Sequence, residues 1–253
     1  MCNFFSFCTM PDSTSDFYYF DWQMRQADKN GADSHSHICA HFRIDEDRCN
    51  KYEYNPLTGV FTVDMRNAVK DDSKRAEKWV KQLDFKTVIE PLIIKPIVNP
   101  FELPKVEIPT DEQINWLIEW ASVGDSVRAS VGASVGALVG DSVRDSVWAS
   151  VRASVGDSVG DSVRASVGAS VGALVGTLVW DSVWDSIRDS VWDSVWAYIS
   201  SFFAVKYSID FSSAIKLWES GLAPTFDGET WRLHTGKHAR VVYEWKKEVK
   251  YEA

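Results

Sequence analysis

Trp148-Ala149-Ser150-Val151-Arg152-Ala153-Ser154-Val155-Gly156-Asp157-Ser158-Val159-Gly160-Asp161-Ser162-Val163-Arg164 repeats one four-residue word in which two letters vary. The word is (Ala/Asp)-Ser-Val-(Gly/Arg/Trp), and 19 tetrads of it run from Ala121 to Trp196. Position one is Ala nine times, Asp nine times and Thr once, at Thr177. Position two is Ser except at Leu138, Leu174 and Leu178, and position three is Val except at Ile187. Position four is Gly nine times, Arg five times and Trp five times. Ala197-Tyr198-Ile199-Ser200 reads as a degenerate further tetrad. Residues 121–140 match residues 157–176 except for Ala121 against Asp157, which points to duplication of a longer block.

A period of four fits a strand better than a helix. An α-helix turns 100° per residue, so successive valines drift by ~40° per tetrad and spiral around a long rod. The known supercoil repeats, 3.5 and 3.67 residues per turn, do not accommodate it. Nine Gly at about 1 kcal/mol each, with roughly 0.5 for each Ser and Val, set on the order of 25 kcal/mol against one long helix. Four is a multiple of the strand period of two, so every Val can take the same place on one face. The expectation is a β-solenoid of tetrapeptide repeats over 121–200. Each tetrad forms one side of a turn, Val points in and position four points out. The idea is similar to the quadrilateral coil of pentapeptide-repeat proteins, one residue shorter per side. Such a stack needs capped ends. One long α-helix is the alternative.

Trp, Gly and Arg share little physically, but their codons differ by one base, as do those of Ala and Asp and of Ser and Leu. Two readings of position four follow. One is a variable recognition surface for a protein partner, made by Trp148, Trp180, Trp184, Trp192, Trp196, Arg128, Arg144, Arg152, Arg164 and Arg188, because Trp and Arg dominate binding hot spots. The other is a tolerated DNA repeat with no ligand. In both, position four is expected to be exposed.

The repeat sits inside a chain of 253 residues with net charge −9 and 13% aromatic residues. The aromatics argue against disorder. The acidity disfavours nucleic acid as a partner. Residues 1–90 read as an α+β N-terminal domain. Asn3–Cys8 and Phe17–Phe20 resemble short strands. Lys51–Tyr54 and Val60–Val63 form a hairpin around Asn55-Pro56-Leu57-Thr58-Gly59, and Asp72 or Ser73 caps a helix through Ala76, Trp79, Val80 and Leu83. Thr87–Ile94 is strand-like but broken by Pro91. Residues 91–120 form a Pro-rich connector and a short helix opened by Thr110 and Gln113 as a capping box. Residues 201–253 read as a small α+β C-terminal cap. It has a helix through Ile215, Leu217 and Trp218, then a hairpin of Thr230–His234 and Ala239–Trp245.

The chemistry-bearing residues lie near the N-terminus. Asp33-Ser34-His35-Ser36-His37-Ile38-Cys39-Ala40-His41 alternates, so an extended chain puts His35, His37, Cys39 and His41 on one face. A His-x-His pair with Cα atoms ~6.6 Å apart is a workable zinc chelate. Cys49, Asp45 and Asp47 are the nearest further ligands. A polar loop or solvent-facing strand explains the same pattern without a metal. Cys2, exposed by removal of Met1, has the form of an N-terminal nucleophile, but Asn3 follows where the amidotransferases of that kind carry Gly. Asp33, Ser34 and His35 are adjacent, which does not give triad geometry. No phosphate loop or dinucleotide fingerprint occurs. No apolar run reaches the ~18 residues of a membrane span, and no basic, apolar leader opens the chain. Thiols in a cytoplasmic setting are expected.

Asn50–Phe61, Leu83-Asp84-Phe85-Lys86, Ala197–Phe203 and Phe226–His234, together with the repeat, resemble a group of uncharacterised phage-associated or mobile-element-type proteins with tetrapeptide repeats. That resemblance implies no activity. The sequence reading is therefore a non-enzymatic binding or structural repeat protein without a membrane partner. The alternative is a metal-dependent, hydrolase-like enzyme using the His/Cys face.

Overall fold

A computed structural model describes residues 4–28, 34–123, 127–139, 141–171 and 177–246. The N-terminal segment runs β1 (Phe5–Thr9), β2 (Phe17–Tyr18), α1 (Trp22–Ala27), α2 (His35–Phe42), β3 (Asn50–Asn55), β4 (Val60–Arg66), α3 (Ser73–Val80) and α4 (Phe85–Val88). Next comes α5 (Asp111–Ala121). The repeat follows as α6 (Val127–Val139), α7 (Asp141–Val151), a π-helical stretch (Arg152–Gly156), α8 (Asp157–Val171) and α9 (Thr177–Ser200). The chain ends in α10 (Ser212–Glu219), β5 (Ala223–Phe226), β6 (Thr230–Thr235) and β7 (Arg240–Lys246).

The tetrads are helical, which overturns the β-solenoid. The only sheets among the described residues are open and antiparallel, one of four strands and one of three, and both lie in the flanks. Nor is the repeat one rod. Arg144 donates to the Gly132 carbonyl at 3.5 Å, although the two residues would lie ~18 Å apart along a single helix. The drift of ~40° per tetrad excludes only a long unbroken helix. Over three steps it sweeps ~120°, the width of an ordinary apolar helix face. Ile187, Val191, Val195 and Ile199 of α9 are accordingly all buried. Val151, Val155, Val159 and Val163 are buried as well, and the π-helical stretch lies between the first and third of them. A π-turn holds more residues than an α-turn, so it rewinds part of the drift.

Helix propensity is a weak prior that such burial overrides. Position-two serines satisfy themselves within the helix. Ser150 donates to Ser146 O at 2.8 Å, Ser190 to Ile187 O at 2.9 Å and Ser194 to Val191 O at 2.7 Å.

The chain folds into two compact units, and the repeat is divided between them. Unit one comprises Met1–Pro96, Gly132–Ser150 and Phe202–Val205; unit two comprises Ile97–Val131, Val151–Ser201 and Lys206–Ala253.

In unit one the strand order is β2-β1-β3-β4. Asn55 builds the β3–β4 turn, accepting from the N–H groups of Leu57 and Thr58, and Gly59 takes φ +71. Phe5, Phe7, Tyr52 and Tyr54 point to one face of the sheet, against Trp79 and Phe85 of α3 and α4. Thr87–Ile94 is not a strand: α4 ends at Val88, and only Leu92 makes an isolated bridge, to Phe203. Under α3 sits Asp72, a buried carboxylate. Its Oδ1 accepts from Thr9 Oγ1 at 3.0 Å, Asn50 Nδ2 at 3.0 Å and Tyr52 Oη at 2.8 Å, and its Oδ2 from Arg75 at 2.6 Å. Arg75 in turn covers the Phe17 ring at 4.2 Å, and Phe17 stacks on Trp79 at 4.0 Å. Desolvation works against the charge, but these hydrogen bonds outweigh it and hold the carboxyl below its ordinary range.

In unit two the strand order is β5-β6-β7. Helix α9 packs on β5, and α10 packs on α5 and α9. Ser190 accepts from Phe226 N–H at 2.8 Å, joining repeat to sheet. Tyr198 stacks on Trp218 at 5.4 Å. Their polar tips engage one connector residue: Val98 N–H donates to Tyr198 Oη, and Trp218 Nε1–H to Val98 O, both at 2.8 Å. His234 is fully buried; its Nδ1–H donates to Ala239 O at 2.8 Å, which leaves Nε2 to accept from Thr225 Oγ1 at 2.8 Å. Desolvation lowers its pKa to about 4.

Three outcomes follow from this packing. Val195→Ala is expected to lower stability by about 2 kcal/mol in urea unfolding, against less than about 0.5 for Ala165→Ser on the exposed side, with far-UV minima at ~208 and ~222 nm in both. Equal costs would remove the inside–outside distinction. Asp72→Asn is expected to cost about 3 kcal/mol and Tyr52→Phe about 1. The unfolded state takes up a proton on His234 near its ordinary 6.5, whereas the folded state resists to about 4. Stability is therefore complete above pH 6.5 and falls by about 3 kcal/mol towards pH 4. In His234→Gln that slope is expected to vanish.

Candidate functional site

The alternating stretch around His35 is a helix. Ser34 caps it, accepting from His37 N–H at 3.4 Å. Arg43 ends it with φ +54, and Ile44 N–H closes back on Cys39 O at 3.0 Å. At 100° per residue the four expected ligands cannot share a face. They separate into pairs at i, i+4. His35 and Cys39 turn inward and are buried. His37 and His41 flank Phe20 at ring distances of 5.6 and 4.9 Å, with His41 exposed. His37 pairs with Asp28. The proposed chelate of His35, His37, Cys39 and His41 is therefore not assembled. Cys2 lies outside the described residues.

Helix α2 covers the sheet face opposite the aromatic layer. Strand alternation places Cys8, Lys51, Glu53 and Asp64 on that face. Two clusters form there. In the first, His35 Nε2 hydrogen-bonds to Tyr52 O at 3.0 Å, Nδ1 lies 3.3 Å from Asp64 Oδ2, and a Glu53 oxygen, a His35 ring nitrogen and an Asp64 oxygen lie within 4.8 Å of one another. His35 and Glu53 are buried and Asp64 is exposed. The second cluster brings together Cys8 of β1, Cys39 of α2 and Cys49 just before β3, all buried. Sγ of Cys39 lies 3.8 Å from that of Cys8 and 3.6 Å from that of Cys49. Shared S–H hydrogen bonds push the Cys8 and Cys39 thiols up and hold Cys49 down, and the Lys51 ammonium adds to the lowering at Cys49. Lys51 itself is bonded to Glu46 at 2.7 Å. Sequence reasoning found Cys39 but missed Cys8 as its neighbour. The available signal was the position of Cys8 in a strand, one residue out of phase with Phe5 and Phe7.

On the repeat, helical geometry puts position one opposite the buried Val and positions two and four on the flanks. Position one is the outermost: Ala133, Asp145, Ala153, Asp161, Asp185 and Asp189 are exposed. Position four is mixed, which corrects the expectation of a uniformly outward face. Arg152, Arg164 and Arg188 are exposed, whereas Arg144, Trp148, Trp192 and Trp196 are half-buried. Arg144 pairs with Asp145 at 2.9 Å, and Arg188 with Asp185 at 3.2 Å. The Arg152 guanidinium lies 5.8 Å from the Trp192 ring centre, so part of this set packs helix against helix. The side chains of Arg128, Trp180 and Trp184 lie outside the described residues. No helix among the described residues is long and apolar enough to cross a membrane. No family model, curated protein or solved structure matches the chain.

Proposed function

We propose that this chain is a non-enzymatic binding or structural repeat protein that meets a protein partner through the outer side of its tetrad helices. One observation carries the reading. The described position-three residues from Val127 to Val195 are buried, while position one opposite them is exposed in nearly every described tetrad. Each tetrad thus separates a constant interior from an exterior that can change without disturbing it. Aspartates at position one and Arg152, Arg164 and Arg188 at position four give that exterior alternating charge, suited to selecting a partner by electrostatic complementarity. The thiols of Cys8, Cys39 and Cys49 support a reducing, cytoplasmic compartment.

The test uses the full chain with a photo-crosslinking residue in place of Asp161, in an extract of the source cell. A discrete adduct is expected that excess unlabelled chain competes away. A competitor carrying Arg164→Ser and Arg188→Ser, which leaves the Arg152–Trp192 contact in place, is expected to melt within ~5 °C of the parent yet to compete at least tenfold less well. Equal competition by that variant would remove the outer face as the recognition surface. A collapse in its melting temperature would make the arginines structural.

A further inference from the structure

We propose that Cys8, Cys39 and Cys49 form a three-sulfur site for a soft metal ion, copper(I), inside unit one. The site is independent of the repeat face. Strand β1, helix α2 and the residue just before β3 deliver one sulfur each, and every cysteine among the described residues takes part. The sulfurs are spaced at 3.6 and 3.8 Å, and all three lie within 4.8 Å of one another. Metal–sulfur bonds of about 2.3 Å hold the sulfurs around one ion about 3.8–4.0 Å apart. The spacings of 3.8 and 3.6 Å about Cys39 lie close to that range, so the trio can close on one ion. A disulfide fits less well. It needs sulfurs at about 2.05 Å and leaves one of the three thiols unpaired in the core.

The surroundings select the ion. Phe20 and Ile38 are buried with the trio, and Met10, Met24 and Phe42 pack against them. This wall is apolar and soft. The Glu46 carbonyl accepts from Cys49 Sγ at 3.4 Å, and one such oxygen is too little for a hard cation that prefers several. Among the described residues no fourth His, Cys, Asp or Glu donor joins the three sulfurs. Structural zinc takes four ligands, so a three-sulfur set favours copper(I). Each sulfur–metal bond forms as its thiol releases a proton to solvent, with no change of oxidation state. Lys51 lies on the same sheet face, with its ammonium held by Glu46 at 2.7 Å.

The experiment is an anaerobic titration of the reduced full-length chain with copper(I) held by a competing chromogenic chelator, followed by X-ray absorption on the loaded wild-type protein. One copper(I) per chain, with about three sulfur neighbours, is the expected result. Cys39→Ser and Cys49→Ser are expected to weaken uptake at least tenfold, while His37→Ala and Cys2→Ser leave it unchanged. Because core variants can lose their fold, the wild-type absorption spectrum decides. Fewer than three sulfurs, nitrogen or oxygen neighbours, or no copper transfer overturns the site. Stoichiometric zinc that copper(I) does not displace also overturns it, as does loss of uptake in Cys2→Ser.

Discussion

Burial of one valine in every four residues is the constraint on which the rest of the repeat depends. A helix cannot satisfy it over a long run, because each tetrad rotates the valine by ~40°. The chain meets it in runs of three or four tetrads and, at Arg152–Gly156, with a wider helical turn. The helices then fold back, with α8 against α9 and α9 against β5. Serine suits position two because its hydroxyl finds a carbonyl one turn back and can be buried without a loose donor. At Ser190 the same hydroxyl also takes an N–H from β5, so a residue of the repeat becomes part of a sheet contact.

In each unit a buried polar group has its charge state decided by its partners, Asp72 in unit one and His234 in unit two. Asp72 remains a carboxylate because three neutral donors and Arg75 surround it. It joins β1, β3 and α3 at one point. His234 stays neutral because one carbonyl and one hydroxyl satisfy its ring and no carboxylate replaces the lost water. The physics is the same in both: a buried polar atom is stable when every donor and acceptor is paired. The outcomes differ because Asp72 has a counter-ion, Arg75, against it, whereas the hydrogen-bond partners of His234 are a neutral hydroxyl and a carbonyl.

On the other face of the unit-one sheet, α2 explains why two titratable clusters lie side by side. Its inward pair, His35 and Cys39, stands one turn apart on the helix, so each meets a different part of the sheet below. His35 lands over Glu53 and Asp64, and Cys39 lands between Cys8 and Cys49. A strand would have put all four expected ligands on one line. The helix instead recruits new neighbours from β1, β3 and β4.

Local signals with short-range causes were legible in the sequence. Asn55 to Gly59 is the turn of β3 and β4, Thr110 and Gln113 cap α5 reciprocally, and Thr230–His234 pairs with the strand that follows. Each depends on hydrogen bonds within a few residues. Two readings needed more. The pattern around His35 alternates as a strand would, yet Ser34 and Arg43 bracket a helix, and capping at both ends outweighs an alternation with no partner strand. The tetrad period is commensurate with a strand and not with a helix, yet burial against other helices and β5 decides it, since a drift confined to a few turns costs nothing. What the sequence determined by itself is the repeat, its constant valine and the hairpin turns; it did not determine which position faces outward. Only the tertiary structure decided that the repeat is helical and folded back and that Cys8 of β1 joins Cys39 and Cys49. Packing and sulfur–sulfur proximity arise between residues far apart in the chain, where no local pattern specifies them.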